Sequence, residues 1–127
     1  MSSALSCIRP GKGPQVVFLA GLQGDARIFE PTWTKLDEAA GIWTFSMQDL
    51  ELESAAVSLT DAAQKVFSDG AHFVCGSYGS QVAIRAEDLP AKSLVLVAPF
   101  PAWEWLGLRR RAGMAAALTM PSRILGL

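Results

Sequence analysis

The chain predicts an α/β protein: a parallel sheet of about four strands with helices on both faces. Three observations point there. Short, apolar-rich runs occur at residues 15–20, 42–47, 71–76 and 93–98, as expected of strands covered on both faces of a parallel sheet. Their centres recur at roughly 22 to 29 residues, the spacing of β-α-β units. The segments between them have helix-like patterns that end at glycine or proline.

In chain order, residues 1–14 carry Pro10, Gly11, Gly13 and Pro14 and read as a loop-like lead-in. The run at 15–20 closes at Gly21. Residues 26–39 predict a helix with Ile28, Phe29, Trp33 and Leu36 near one face, stopped before Gly41. Residues 57–68 predict a second helix, with Val57, Ala62, Ala63, Val66 and Phe67 apolar and Asp69-Gly70 as terminator. A third helix is expected over 78–89, ending at Pro90. Beyond the fourth strand, a helix over about 102–118 breaks near Pro121. The sequence holds no internal repeat and no low-complexity tract.

Size and composition narrow the function classes. At 127 residues the chain predicts one core, residues 1–101, followed by a C-terminal helical segment at 102–127. Half of the residues are hydrophobic (50%) and 18% are charged, which argues against disorder. A net charge of -1 supplies no electrostatic reason to bind nucleic acid. The two cysteines, Cys7 and Cys75, are too few for a disulfide framework. No apolar stretch reaches the roughly 18 residues of a membrane span, and the first 15 residues lack the apolar run of a secretory signal. A cytoplasmic protein is the expectation.

Two motifs carry chemistry. The run His72-Phe73-Val74-Cys75-Gly76-Ser77-Tyr78-Gly79-Ser80 reads as a buried strand that turns sharply at Ser77 into a helix. Upstream, the first strand leads into Gly21-Leu22-Gln23-Gly24-Asp25, where Gly21 and Gly24 permit a tight turn. Asp25 then serves as N-cap to the helix that follows. Asp49, after the second strand, reads as a turn residue.

Together these motifs resemble the N-terminal half of the α/β-hydrolase fold serine hydrolases, from about residue 16 to 101. The elbow Cys75-Gly76-Ser77-Tyr78-Gly79 is similar to the family's small-x-Ser-x-small pattern, with cysteine in place of the first glycine. Ala20 stands where many members have histidine before the glycine turn. The resemblance implies that Ser77 is the nucleophile and that the amides of Leu22 and Tyr78 form the oxyanion hole. Gly21, Gly24 and Gly79 would then be the turn-forming residues. It implies a small acyl ester or thioester as substrate, with neither metal nor organic cofactor. It also makes 102–127 the opening of a lid. A membrane-surface helix over 102–118, built on Trp103, Trp105 and Arg109-Arg110-Arg111, is the alternative.

The triad is incomplete. The family order is Ser, then Asp or Glu, then His, but the one histidine is His72, five residues before Ser77. At about 3.3 Å per strand residue it lies roughly 15 Å away, too far to act as base. Glu87, Asp88 and Glu104 are the acidic residues after the elbow, and none falls where the family places its acid. Cys75 is expected to point into the sheet and so cannot substitute as nucleophile. Three expectations follow. The base and acid lie beyond Leu127; or the chain is a non-catalytic hydrolase-like binding or scaffold subunit; or a partner supplies the base. A sheet of this kind exposes a long edge, so a homodimer or another protein subunit is an expected partner.

Overall fold

The computed structural model describes residues 4–20, 26–47 and 51–97. Five strands form one sheet: β1 (Ala4–Arg9), β2 (Gln15–Leu19), β3 (Gly41–Ser46), β4 (Ala71–Gly76) and β5 (Ala91–Val97). Their spatial order is β1-β3-β2-β4-β5. β2 runs parallel to both β3 and β4, and β4 runs parallel to β5. The result is a partial α/β-hydrolase-like sheet flanked by helices.

The helical connections are a 3-10 turn (Ala26–Phe29) leading into α1 (Glu30–Trp33), then α2 (Leu52–Val66) and α3 (Tyr78–Arg85). Alternation along the strands divides the core between the two faces. On one face, Val17, Leu19, Phe73 and Cys75 meet Ala55, Ala56, Leu59 and Val82 of α2 and α3. On the other, Phe18 packs between Phe29 and Trp33, with ring centroids 5.3 Å and 5.5 Å away.

Residues 4–9, expected as part of a loop, form β1, antiparallel to β3. This edge strand leaves Ser6, Cys7 and Ile8 exposed, so its apolar pattern is weak and the glycines and prolines behind it dominate the reading. Arg9 fastens it: its guanidinium donates to the carbonyls of Asp37 (2.7 Å) and Ala40 (3.2 Å).

The helix expected over 26–39 is much shorter, because the chain leaves α1 at Thr34 and turns on itself at Asp37. The Asp37 carboxylate accepts the Ala39 amide at 2.8 Å, a side-chain bond that competes with helix continuation. Ile28, assigned to the apolar face, points outward, whereas Phe29 and Trp33 are buried. The second helix starts earlier than expected, at Leu52, and rests on Leu59 and three alanines, Ala55, Ala56 and Ala63; Val57 and Val66 are exposed. The third ends at Arg85 and not at Leu89, and Asp88 turns the loop with a φ of 58°.

Candidate active site

The site is built at the carboxyl end of β4. Ser77 links β4 directly to α3, with φ 49° and ψ −117°. A positive φ is uncommon for a residue with a Cβ and stores strain. The surroundings hold it there. The Ser77 amide donates to the Val97 carbonyl at 3.1 Å, and the Ser77 carbonyl accepts the Ser80 amide at 3.0 Å. Ser80 is fully buried, and its hydroxyl donates to the Cys75 carbonyl at 2.9 Å. The first turn of α3 is thereby pinned to the end of its own strand, while the Ser77 side chain remains exposed.

Close approach explains the flanking glycines. A Cβ on Gly79 would lie 2.8 Å from the Ala20 carbonyl oxygen and 2.9 Å from that of Leu19. Both are main-chain atoms of or next to β2, so α3 sits on that strand only because residue 79 lacks a side chain. A Cβ on Gly76 would stand 3.1 Å from the Phe29 ring. Tyr78 occupies the first position of α3, which puts its amide in the helix's first turn beside Ser77. Gly21, Leu22, Gly24, Asp25 and Asp49 lie outside the described residues, as does all of 102–127.

Cys75 is wholly buried, and desolvation pushes its thiol from the usual 9.0 up to about 12. It is a neutral core group at any physiological pH, which suits the structural role read from the sequence. His72 Nδ1 lies 2.7 Å from Ser93 Oγ; the pair sits early in β4 and β5, at the end of the sheet away from Ser77. Glu87 and Asp88 are in the loop that enters the amino end of β5, again far from the serine. Their carbonyls accept bonds from Thr60 (3.0 Å) and Gln64 (2.9 Å) of α2. Neither the histidine nor these carboxylates is brought to the serine. Among the described residues no three His, Cys, Asp or Glu side chains group as metal ligands, and no helix is long and apolar enough to cross a membrane.

The Ser80 clamp and the Val97 carbonyl were not identified from the sequence. A serine three residues after Ser77 was the visible sign of the first; the second depends on the register of β4 against β5.

Solved structures share this arrangement. A Pseudomonas aeruginosa protein described as a probable hydrolytic enzyme matches with TM-score 0.64 at 19% identity, over 84% of this chain and 40% of that one. BpoC of Mycobacterium tuberculosis matches with TM-score 0.64 at 17% identity, over 95% of this chain and 51% of that one. Rv0554 of the same organism matches with TM-score 0.63 at 18% identity, over 98% of this chain and 51% of that one. The likeness is a distant one to an α/β-hydrolase-like fold. This chain spans about half or less of the length of those structures. No protein-family model and no curated protein matches the sequence.

Proposed function

We propose that Ser77 is the nucleophile of a serine ester or thioester hydrolase site, with the amides of Leu22 and Tyr78 as oxyanion donors. One observation carries this reading: an exposed serine is held at φ 49° on the crossover from a buried parallel strand to a helix. Such strain persists where the surrounding structure over-determines it. Here the Val97 and Ser80 bonds and the close seat of Gly79 do so.

The chemistry follows from those groups. Ser77 Oγ attacks the acyl carbonyl carbon and its proton passes to a base; the carbonyl oxygen becomes negative and is held by main-chain N–H groups. Collapse of the tetrahedral intermediate expels the alcohol or thiol, and water then releases the acid. None of these steps calls on a metal or organic cofactor. The base and its carboxylate partner come from outside residues 1–127, since His72 is engaged with Ser93 at the other end of the sheet. The 127-residue chain alone is therefore expected to be nearly inert. The same placement of His72 also favours a second reading, a hydrolase-like binding or scaffold subunit without catalysis.

Chemical rescue separates the two. A fluorophosphonate probe should label the 127-residue chain slowly, and added imidazole should accelerate labelling in wild type but not in Ser77→Ala. Absence of any Ser77-dependent acceleration defeats the nucleophile assignment and leaves the non-catalytic reading. Rapid labelling without imidazole defeats the claim that the base is missing.

A further inference from the structure

The pairing of β5 with β4 is interrupted once. Ala71 stands opposite Ala91, yet His72 stands opposite Ser93, so Lys92 is an extra residue bulged out of the register. One extra residue turns the later side chains of a strand to the other face of the sheet. Without it Ser93 would stand beside Phe73, on the face that packs against α2 and α3. With it Ser93 stands beside His72 on the opposite face, and His72 Nδ1 lies 2.7 Å from Ser93 Oγ.

That distance joins a nucleophile to a base. On the other side of His72 the register neighbour is Val16 of β2, whose side chain offers the ring no polar atom. Ser93 is therefore the group that engages the imidazole, which is half-buried while the serine is exposed. With the ring proton on Nε2, Nδ1 accepts the hydrogen bond that the Ser93 hydroxyl donates.

We propose that Ser93, activated by His72, is an acyl acceptor for reactive donors of the aryl ester or acyl thioester class. Ser93 Oγ bonds to the acyl carbon as its proton passes to Nδ1. The carbon–oxygen or carbon–sulfur bond to the leaving group breaks, and the proton departs with the phenolate or thiolate. The products are an O-acyl serine and a free phenol or thiol. Among the described residues no carboxylate bonds the imidazole, so the pair lacks the third group that orients the base of a triad. Such a dyad serves one transfer from an activated donor, not turnover. The site lies early in β4 and β5, at the end of the sheet away from Ser77, and does not depend on chemistry there.

Acylation of the 127-residue chain by para-nitrophenyl acetate tests the assignment. The acyl groups are located by peptide mass mapping, which keeps Ser93 and Ser77 apart, in a Cys7→Ala background. Ser93 should react at least about tenfold faster than Ser6 and Ser68, which are also exposed; a positioned general base contributes about 10²–10⁴-fold. His72→Gln keeps a hydrogen-bond acceptor but no base, and it should abolish the excess while circular dichroism is unchanged. Equal rates at the three serines overturn the proposal. So does an excess that survives in His72→Gln, or acylation of Lys92 in preference to Ser93. The wild-type ratio decides the matter even where His72→Gln does not fold.

Discussion

The amide of Ser77 donates to the carbonyl of Val97 at 3.1 Å, so the turn that presents the serine is fastened to the last residue of β5. The elbow is thus anchored on three sides: to β5 through Val97, to its own strand through Ser80, and to β2 through the close seat of Gly79. Anything that orders β5 also orders Ser77.

Replacing Ser77 by glycine should stabilise the fold. A residue with a Cβ at φ 49° carries strain of order 1–3 kcal/mol, and glycine relieves it at an entropic penalty of roughly 0.5–1 kcal/mol. The urea midpoint should rise by the equivalent of about 1 kcal/mol in Ser77→Gly and stay nearly unchanged in Ser77→Ala. Ser77→Val should lower it. A Ser77→Gly variant less stable than wild type would show that the backbone is not strained there.

Ser80→Ala removes a buried donor from the Cys75 carbonyl. The expected loss is about 1–2 kcal/mol of unfolding free energy, read from the same denaturation curves. Imidazole-assisted labelling of Ser77 should also slow, because the first turn of α3 loses its tie to β4.

Gly79→Ala should be more damaging than Gly76→Ala. The added methyl at 79 meets main-chain oxygens that belong to the centre of the sheet, and α3 must lift away at a cost of roughly 1–3 kcal/mol. At 76 the obstacle is the edge of one aromatic ring, which can rotate. Thermal denaturation of the pair should rank them in that order.

Cys75 makes stability depend on alkaline pH. Its thiol titrates at 9.0 when free and at about 12 in the fold. Below pH 9 both states hold the proton and the group contributes no slope. Between 9 and 12 the unfolded chain has lost a proton that the native chain keeps, so stability falls as pH rises, by at most about 1.4 kcal/mol per pH unit. Cys75→Ala should lower stability by a constant amount and remove that share of the slope.

Thiol access should separate the two cysteines. Cys7 is exposed on β1 and Cys75 is buried. A disulfide reagent at neutral pH should modify Cys7 quickly and Cys75 only after denaturation. Rapid reaction at both positions in the native state would contradict the seat of Cys75 on β4.

Central elements were legible in the sequence because their signals are local and strong. The runs around Phe18, Phe73 and Val95 could be read as strands from their apolar content alone, and Ser77 stood out as a turn between one of them and a helix. Peripheral elements were not legible. β1 has no buried stripe to read, and its identity depends on pairing with β3, more than thirty residues away in the chain. The shortening of α1 turns on the Asp37 carboxylate choosing the Ala39 amide, a competition that apolar periodicity does not record. The buried face of α2 is made of Ala55, Ala56, Leu59 and Ala63, mostly small residues, while the larger Val57 and Val66 are exposed, so apolar size did not mark the buried face.

Order along the chain, apolar runs and turn chemistry were enough to determine a mainly parallel α/β sheet with a serine on the crossover that follows β4. Those properties are encoded in neighbouring residues. Which groups meet that serine was decided by register and packing: Val97 opposite its amide, Gly79 against β2, His72 removed to the far end beside Ser93. Long-range pairing sets such contacts, because a hydrogen bond between residues 77 and 97 exists only once β4 and β5 lie in one register.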